Sequence, residues 1–307
     1  IKNILTLSPV YPQANNEKTR PMIEAKGPNA EQIHYWNEVS GPKWVRLDKT
    51  IGAMIRPFGV YAMNAAKLQS GEQVVDVGCG CGETSFALAE AVGATGSVLG
   101  VDISNPMLTH ATEKRDRMNK LNVKFLNADA QILEFGVATQ DLVFSRFGVM
   151  FFAEPEVAFA NLRSCLKPGG RLVFACWQAR EKNPWMAMPA AAAASHFNLP
   201  PGPPPGSPGP FSMSDPQRTV ERLHGAGYRS VECHSVERKI DVSIGKSIED
   251  TVSFLSQMGP AGSLLKDAPP EKREAALRSM REALLLHQTS NGIELDAAAW
   301  VVTATRD

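Results

Sequence analysis

The sequence predicts an α/β fold built on a doubly wound parallel sheet. Apolar strand patterns alternate strictly with helical patterns from residue 73 to residue 177, and the connections between them are short. Such alternation calls for parallel strands joined by right-handed crossovers. A glycine-rich turn follows the first strand, and acidic residues stand near the ends of three consecutive strands. Because ligands of these sheets bind beyond the carboxyl ends of the strands, we expect a binding site at that edge.

The composition excludes some classes of partner. The chain has 32 basic and 32 acidic residues and a formal charge of +0, with no Lys/Arg tract that would favour nucleic acid. No apolar run approaches the roughly 18 residues of a membrane span. The odd cysteine count, five, indicates a reducing compartment. We therefore expect a cytoplasmic protein, although the start at Ile1 leaves a cleaved targeting peptide open.

The pattern along the chain changes three times. The first segment is polar, proline-containing and aperiodic, which predicts a loose leader. Helical patterns follow at 30–45 and at 47–68, where an apolar stripe predicts an amphipathic helix interrupted near Pro57. These two helices predict a cap ahead of the α/β core. The predicted boundaries are 1–29 for the leader, 30–69 for the cap, 70–178 for the core and 179–307 for a proline-rich loop, helical insertions and sheet-completing strands.

The elements of the core and of the C-terminal part follow from periodicity and turn signals. Predicted strands lie at 74–77, 97–102, 123–126, 141–145, 171–177, 230–242 and 296–305. Predicted helices lie at 85–92, from 104 onward, and at 155–166, 186–197, 214–223, 248–258 and 271–286. Residues 167–170 predict a tight turn, and residues 199–210, with seven prolines and three glycines, an extended loop.

The turn after the first strand has glycine at every second position, at Gly78, Gly80 and Gly82, and follows the in-strand acid Asp76. Glycine permits positive φ and lets a ligand approach the main chain. A helix begins next, so free N–H groups and a helix dipole would face that ligand. A dinucleotide-binding turn needs G-x-G-x-x-G, and Glu83 occupies the place of its last glycine. The loop thus favours a different nucleotide-like ligand, with a ligand-free glycine turn as the alternative.

Two cysteines, Cys79 and Cys81, stand within this loop and could be half of a metal site. No matching Cys/His pair follows at ligand spacing. We therefore predict no metal.

The pattern D-x-G-x-G-x-G, followed by a second strand ending in Asp102 and by Ala128-Asp129-Ala130 after the third, resembles the class I S-adenosylmethionine (SAM) methyltransferases. The Leu-Lys-Pro-Gly-Gly turn at 166–170 is also typical of them. The resemblance covers residues 72–177 and is closest to the small-molecule branch, methyltransferase type 11 and the ubiquinone/menaquinone C-methyltransferases. It implies a seven-stranded sheet that is mostly parallel with a C-terminal antiparallel hairpin, and SAM as co-substrate.

The resemblance also implies roles at the methionine end of SAM. The main-chain N–H groups of Gly78 and Gly80 would meet the methionine moiety, within a loop that Gly82 completes. Asp76 would position the amino group through backbone or water, and the Ser145 carbonyl would meet the same amine.

At the nucleoside end, Asp102 would accept both ribose hydroxyls, since a carboxylate has two acceptor oxygens. Ile103 and Met107 would sandwich the adenine ring. Asp129 would accept from the adenine amino group while the Ala130 N–H bonds a ring nitrogen. The alternatives are a helix cap or surface acid for Asp102 and core packing for Met107. Gln131 could touch adenine or be exposed.

Acceptor-side candidates lie in the cap and after the fourth and fifth strands. His34 is a candidate base, with a structural histidine as the alternative. Tyr35 is a second catalytic candidate, although we expect it, with Trp36, to close over SAM in preference to taking part in the chemistry. Arg146 could hold an acceptor carboxylate or phosphate by a bidentate contact, or could pair with Glu154 or Glu156. We predict a small acceptor that is partly apolar or carboxylate-bearing. Further candidates in these places are Trp44, Phe147, Met150, Phe151, Trp177, Trp185 and His196.

Two functions stay open at this stage. One is an active SAM-dependent methyltransferase that methylates O, N, S or C of a small molecule. The other is a non-catalytic SAM- or nucleotide-binding protein, or a partner subunit of the same fold. The complete signature favours the enzyme, because a degenerate copy is expected to lose Asp102 or a loop glycine.

Overall fold

The computed structural model describes residues 23–198, 204 and 206–307. Residues 1–22 of the predicted leader, and residues 199–203 and 205 of the predicted proline-rich loop, lie outside the described residues. An eight-stranded mixed sheet is flanked by helices, so the predicted α/β class with a mostly parallel, doubly wound sheet is confirmed.

The bounds of the elements are as follows. The strands are β1 Gln73–Val77, β2 Ser97–Asp102, β3 Val123–Asn127, β4 Gln140–Arg146, β5 Leu166–Trp177, β6 Arg229–Asp241, β7 Gln288–Thr289 and β8 Gly292–Thr305. The α-helices are α1 Ala30–His34, α2 Gly41–Arg46, α3 Asp48–Ala66, α4 Glu83–Val92, α5 Asn105–Met118, α6 Pro155–Cys165, α7 Pro184–Ala194, α8 Pro216–Gly225, α9 Ile248–Leu255, α10 Gly259–Leu265 and α11 Pro270–Leu285.

The strand order is β3-β2-β1-β4-β5-β8-β6, and the two-residue β7 pairs with β8 off this path. Strands β1 to β5 are parallel, whereas β8 is antiparallel to both β5 and β6. All seven predicted strands are therefore present. The carboxyl ends of β1 to β5 meet at one edge, and the order reverses between β1 and β4. This is the switch point at which ligands of such sheets bind.

Helix α3 runs unbroken from Asp48 to Ala66 with Pro57 inside it, so the predicted interruption was wrong. The proline removes one backbone hydrogen bond, at a cost of about 3 kcal/mol. The same helix packs on β4, β5 and β8 and buries Ile51, Ile55 and Phe58 among other side chains. Each such burial contributes about 1.5–3 kcal/mol, so the packing outweighs the lost bond.

The N-terminal layer differs from its prediction in two ways. The predicted helix over 30–45 is divided into α1, one π-helical turn at Tyr35–Val39, and α2. The described end of the predicted leader is attached at two points, since the Ile23 N–H donates to Asn127 Oδ1 at 3.0 Å and Asn29 is 3% exposed, whereas residues 24–28 between them are exposed. The segment before the cap is therefore anchored on the end of β3.

The C-terminal half differs from its prediction in the bounds of two elements. The predicted helix at 248–258 ends at Leu255, and α10 begins at Gly259. The predicted turn at 167–170 is included in β5, although Gly169 keeps a turn-like φ of +75°. In the part of the chain that the structure describes, no helix combines the length and apolarity needed to cross a membrane.

Candidate functional site

A cavity of about 430 Å³ opens where β1 to β5 end. We call the group that follows β1, β2 and β3 the polar end: Gly78, Gly80, Asp102, Ile103, Met107, Asp129 and Ala130. We call the group from α3, from the segments after β4 and β5, and from the C-terminal part the apolar chamber: Met54, Ile55, Phe147, Met150, Trp177, Trp185, Met186, Pro208, Pro210, Met258 and Pro260.

The glycine loop adopts the conformation that its sequence requires. Gly78, Gly80 and Gly82 have φ of +67°, +54° and +82°. A Cβ on Gly78 would lie 2.7 Å from the backbone of Gly148, and a Cβ on Gly80 would lie 2.6 Å from the Met107 methyl. The glycines thus serve close packing of the loop as well as positive φ.

The loop is held on the end of β2. The Gly78 N–H, predicted to face the methionine moiety, donates to the Val101 carbonyl at 2.8 Å, and the Gly80 N–H donates to Asp102 Oδ2 at 2.8 Å. Asp102 Oδ1 accepts from the Ser104 N–H at 2.8 Å. Burial raises the pKa of Asp102, while these N–H groups act to lower it. Each carboxylate oxygen keeps a lone pair for a further donor from the cavity.

Asp129 lies at the centre of a buried network that sequence reasoning missed. The Asn29 side-chain amide donates to both oxygens of Asp129 at 2.9 Å and to Gln131 Oε1 at 3.2 Å. The Gln131 N–H donates to Asp129 Oδ1, and the Ala153 N–H donates to Asn29 Oδ1. Gln131 is 1% exposed and does not line the cavity, so the exposed alternative is wrong and the adenine contact stays a prediction. The signal for Asn29, a helix-capping residue type just before α1, was hidden by the aperiodic segment around it.

Asp76 is fully buried and does not line the cavity. Its Oδ2 accepts from the Thr84 and Ser85 hydroxyls at 2.7 and 2.6 Å, which fixes the start of α4. Its Oδ1 has no hydrogen-bond partner among the described residues. Burial raises the pKa of Asp76 to about 6, despite the hydroxyls of Ser85 and Thr84 and the charge of Arg146.

Arg146 lines the cavity, but its acidic partner is Glu83 and not the local Glu154 or Glu156 of the prediction. The Arg146 Nη2 to Glu83 Oε2 distance is 2.9 Å, and Arg56 also donates to Glu83. Burial acts to raise the pKa of Glu83, but the two arginines outweigh it and hold that pKa below its usual range. The ion pair forms because α4 begins at the loop, directly opposite the end of β4.

Two glycines in the middle of α3 make room for this pair. A Cβ on Gly52 would lie 2.9 Å from Glu83 Oε2, and a Cβ on Gly59 would lie 2.9 Å from Arg146 Cδ. They are seven residues apart, about two turns, and so share one helix face. Glycine inside a helix costs about 1 kcal/mol relative to alanine. Two glycines within a predicted helix were therefore the sequence signal that another group packs closely against it.

Aromatic rings form the wall of the apolar chamber. Phe147 stacks on Trp177 with ring centroids 3.9 Å apart, and Trp185 lies 5.2 Å from Trp177. Phe147 has φ of +65°, an unusual backbone conformation for a bulky residue. That turn directs the chain after β4 back toward the chamber, and its strain is located at the site.

The predicted residues divide clearly by position. Tyr35 and Trp36 line the cavity, with Trp36 in edge contact with Phe151 at 5.2 Å. His34 is exposed and outside it. Ser145 and Gly82 also lie outside the lining, and the Ser145 hydroxyl donates to the Val77 carbonyl. The roles predicted for Tyr35, Trp36, His34, Ser145 and Gly82 stay predictions. His196, the remaining histidine candidate, contacts Ser279 instead.

The loop cysteines are buried and free, and burial raises the pKa of both thiols. Across residues 23–198, 204 and 206–307, no group of three or more His, Cys, Asp or Glu side chains could hold a metal ion. Burial thus favours the neutral form of both thiols.

Residues 74–170 match the family described as a methyltransferase domain. This part of the chain is similar to methyltransferase domains. The predicted resemblance is thereby confirmed for the core. The demethylmenaquinone methyltransferase of Staphylococcus aureus is 34% identical over 146 residues, which are 47% of this chain and 60% of that protein. The chain thus matches somewhat less than two thirds of that relative's length.

Solved structures share the fold. The YcgJ protein of Bacillus subtilis aligns with a TM-score of 0.54 at 15% identity, over 81% of this chain and 97% of that one. Phosphoethanolamine N-methyltransferase 2 of Haemonchus contortus, solved with phosphomonomethylethanolamine and S-adenosylhomocysteine, aligns with a TM-score of 0.51 at 16% identity, over 81% and 52%. At these identities the likeness establishes the fold.

Proposed function

We propose that this chain is a SAM-dependent methyltransferase that methylates a small, partly apolar molecule. The observation that carries the proposal is the division of one cavity into a polar end and an apolar chamber. The polar end has the glycine loop and the carboxylates of Asp102 and Asp129, which suit a nucleoside with amino and hydroxyl groups. The chamber has the aromatic and methionine side chains that suit an apolar acceptor.

The residues present fit SAM at the polar end. Asp102 keeps lone pairs beside the loop, where two ribose hydroxyls could donate. Ile103 and Met107 line the same end and would pack on the adenine ring. Asp76 has a buried oxygen without a partner, directly behind the loop, where an ammonium group would be favourable through backbone or water. The match of residues 74–170 to the methyltransferase domain family supports SAM as the ligand.

SAM supplies an electrophilic methyl group: its S–CH3 bond breaks as the acceptor bonds the carbon, and the electron pair stays on sulfur to give S-adenosylhomocysteine (SAH). The chain's own contribution is alignment and exclusion of water. Every carboxylate that lines the cavity already has a partner, since Glu83 pairs with Arg146 and Asp48 with Lys114 and His110. An acceptor that ionises easily, such as a phenol, a quinol or a thiol, therefore suits this site best. The quinone-related name of the S. aureus relative agrees with that class.

Titration calorimetry with SAM and SAH tests the first half of the proposal, and a radiolabelled-SAM screen over phenols, quinols, thiols and amines tests the second. We expect binding of both nucleosides and transfer of label to a phenolic, quinolic or thiol acceptor. Binding of neither nucleoside below millimolar concentration would rule out the enzyme. Binding without transfer to any acceptor class would favour the alternative, a non-catalytic SAM-binding protein or partner subunit.

A further inference from the structure

A second hollow, of about 180 Å³, adjoins the cavity at its outer side. Tyr35, Gly259 and Ser263 line both spaces, so the hollow continues from the cavity past the π-helical turn. It is closed by α2 on one side and by the segment of α10 on the other. Its remaining lining includes two lysines, Lys43 and Lys266.

These two lysines give the lining of the hollow a positive charge. Lys43 comes from α2 and is half-buried, and Lys266, which is exposed, directly follows α10. Arg46, one turn after Lys43, donates to the Gln257 side-chain oxygen at 2.6 Å, and Gln257 also lines the hollow. Within the described residues, none of the three cations has an acidic partner within ion-pair distance. Burial, followed by the charges of Lys266 and Arg46, lowers the pKa of Lys43, as expected for cations gathered without an anion.

Two other cations close to the cavity have acidic partners. Arg146, the residue predicted to hold an acceptor carboxylate, faces Glu83 at 2.9 Å, and Lys114 faces Asp48 at 3.0 Å. An anionic acceptor group would gain little from either one, because each cation already has its counter-charge. Lys43 and Lys266 thus line the hollow without an acidic partner in the part of the chain that the structure describes.

We propose that the acceptor carries an anionic group, a carboxylate, sulfonate or phosphate, which binds between Lys43 and Lys266 while its apolar body enters the chamber. The inference rests on the proposed function, because it names the acceptor of that same site. Two cations at the mouth of a partly enclosed space attract an anion more strongly than they would in open water. They also steer it toward the opening. Tyr35 lines both spaces, so it would lie between the anionic group of the acceptor and its apolar body.

A pair of fluorescent probes tests the proposal without knowledge of the natural acceptor. 8-Anilinonaphthalene-1-sulfonate has an anionic group on an apolar ring system, and N-phenyl-1-naphthylamine is its neutral counterpart. Both are titrated into the full chain with saturating SAH. We expect the sulfonate to bind at least ten-fold more tightly than the amine, with a preference that weakens as salt is added.

The variant Lys43→Gln/Lys266→Gln should lose that preference and leave amine binding unchanged. The matched control is Lys124→Gln/Lys239→Gln, which removes two exposed lysines from the edge strands β3 and β6 and should keep the preference. Equal affinity for the two probes, no sulfonate binding, or a preference that survives in the Lys43/Lys266 variant would each overturn the inference.

Calorimetry with SAH on the same preparations separates this result from the proposed function. Normal SAH binding together with the loss of sulfonate preference supports the inference, and normal SAH binding in all variants also shows that they are folded. If SAH binds but the sulfonate has no preference, the anionic acceptor is wrong and the methyltransferase stands. If SAH does not bind to the wild-type chain, the proposed function itself fails.

Discussion

The polar end and the apolar chamber of the cavity are built in different ways. The polar end comes from consecutive strands β1, β2 and β3 and the turns directly after them, so its residues fall within 78–130. The chamber collects side chains from α3, from the ends of β4 and β5, and from segments as distant as Met258. The first arrangement is local and fixed by backbone hydrogen bonds. The second depends on how distant segments pack.

This difference bears on specificity. The polar end is rigid because Gly80, Asp102 and Ser104 are joined by backbone-to-carboxylate hydrogen bonds at 2.8 Å. The chamber is lined by methionines and aromatic rings, which adapt to ligands of different shape. A constant co-substrate suits the first surface, and a variable acceptor suits the second. Substitutions at the polar end should therefore change cofactor affinity and stability strongly, whereas substitutions in the chamber should change them little.

The largest effect is expected at Gly78. In Gly78→Ala the new Cβ meets the Gly148 backbone at 2.7 Å and φ stays at +67°, so the loop must shift. We expect a loss of about 3 kcal/mol or more in the free energy of unfolding, together with a SAM affinity at least 100-fold weaker. Urea unfolding and calorimetry measure the two effects.

Gly169→Ala is the matched control, because Gly169 has φ of +75° but nothing lies within 4 Å of the added Cβ. It should cost only about 1–2 kcal/mol, the strain of the backbone alone. Equal losses in the two variants would show that the approach of Gly78 to Gly148 is unimportant.

The second-largest effect is expected at Asp76, whose titration should make the free energy of unfolding depend on pH. Its native pKa, raised by burial to about 6, lies above the unfolded value of 3.8. The native chain therefore binds the proton more tightly, and this contribution to the free energy of unfolding is complete below pH 3.8 and lost as pH rises through 6. The contribution of Asp76 to the free energy of unfolding is on the order of 3 kcal/mol larger at low pH than above pH 6. Urea unfolding of the SAM-free protein between pH 4 and pH 7.5 measures it.

In Asp76→Asn this part of the pH dependence should disappear, since the amide does not titrate. Asp296→Asn changes an exposed acid on β8 and should keep the wild-type profile. An unaltered profile in Asp76→Asn would mean that Asp76 titrates near its ordinary pKa in the folded chain.

The same contrast explains what could be predicted from the sequence. The strands, their alternation with helices and the glycine loop were readable because each depends on a short run of residues, and the resemblance then added the roles of Asp102 and Asp129. The partner of Arg146 was not readable, because Glu83 is 63 positions away and only the position of β1 beside β4 brings the two together. Asn29 was missed for the same reason: it reaches Asp129 across 100 positions. Pro57 was misjudged because local propensity gives no measure of tertiary burial.

Asp102→Ala tests the polar end more selectively. The variant removes both the acceptor for ribose hydroxyls and the anchor of the Gly80 N–H. We expect SAM affinity to fall ten- to 100-fold, about 1–3 kcal/mol for charge-assisted hydrogen bonds. Asp296→Ala removes an exposed acid far along the sheet and should leave the affinity unchanged. An affinity retained in Asp102→Ala would show that the ribose is held elsewhere.

The Glu83–Arg146 pair lies between the two regions, and we expect a smaller contribution from it to the free energy of unfolding. Arg146→Met leaves Glu83 with the more exposed Arg56, so we expect a loss of about 1–2 kcal/mol in the free energy of unfolding. Arg56→Met, at an arginine side chain that is 64% exposed, should cost less than about 0.5 kcal/mol. In the double variant Arg146→Met/Glu83→Gln part of the loss should be recovered, because no partly buried carboxylate remains without Arg146 and the Arg56 left over is exposed to water. Additive losses in that cycle would show that the two side chains do not interact.

The smallest effect is expected in the chamber, at Met258. Met258 is half-buried, lines the cavity and lies far along the chain from the glycine loop and from the ends of β1 to β3. Met258→Ala removes part of the apolar wall. N-phenyl-1-naphthylamine should bind three- to five-fold more weakly, from roughly 1 kcal/mol of lost apolar burial. SAH affinity should stay within about two-fold, since the polar end is fixed by its own hydrogen bonds. Met118→Ala, at an exposed methionine outside the cavity, is the control and should change neither value. If Met258→Ala weakens SAH as much as it weakens the amine, the two regions are coupled, and the division of the cavity into a rigid polar end and an adaptable chamber is wrong.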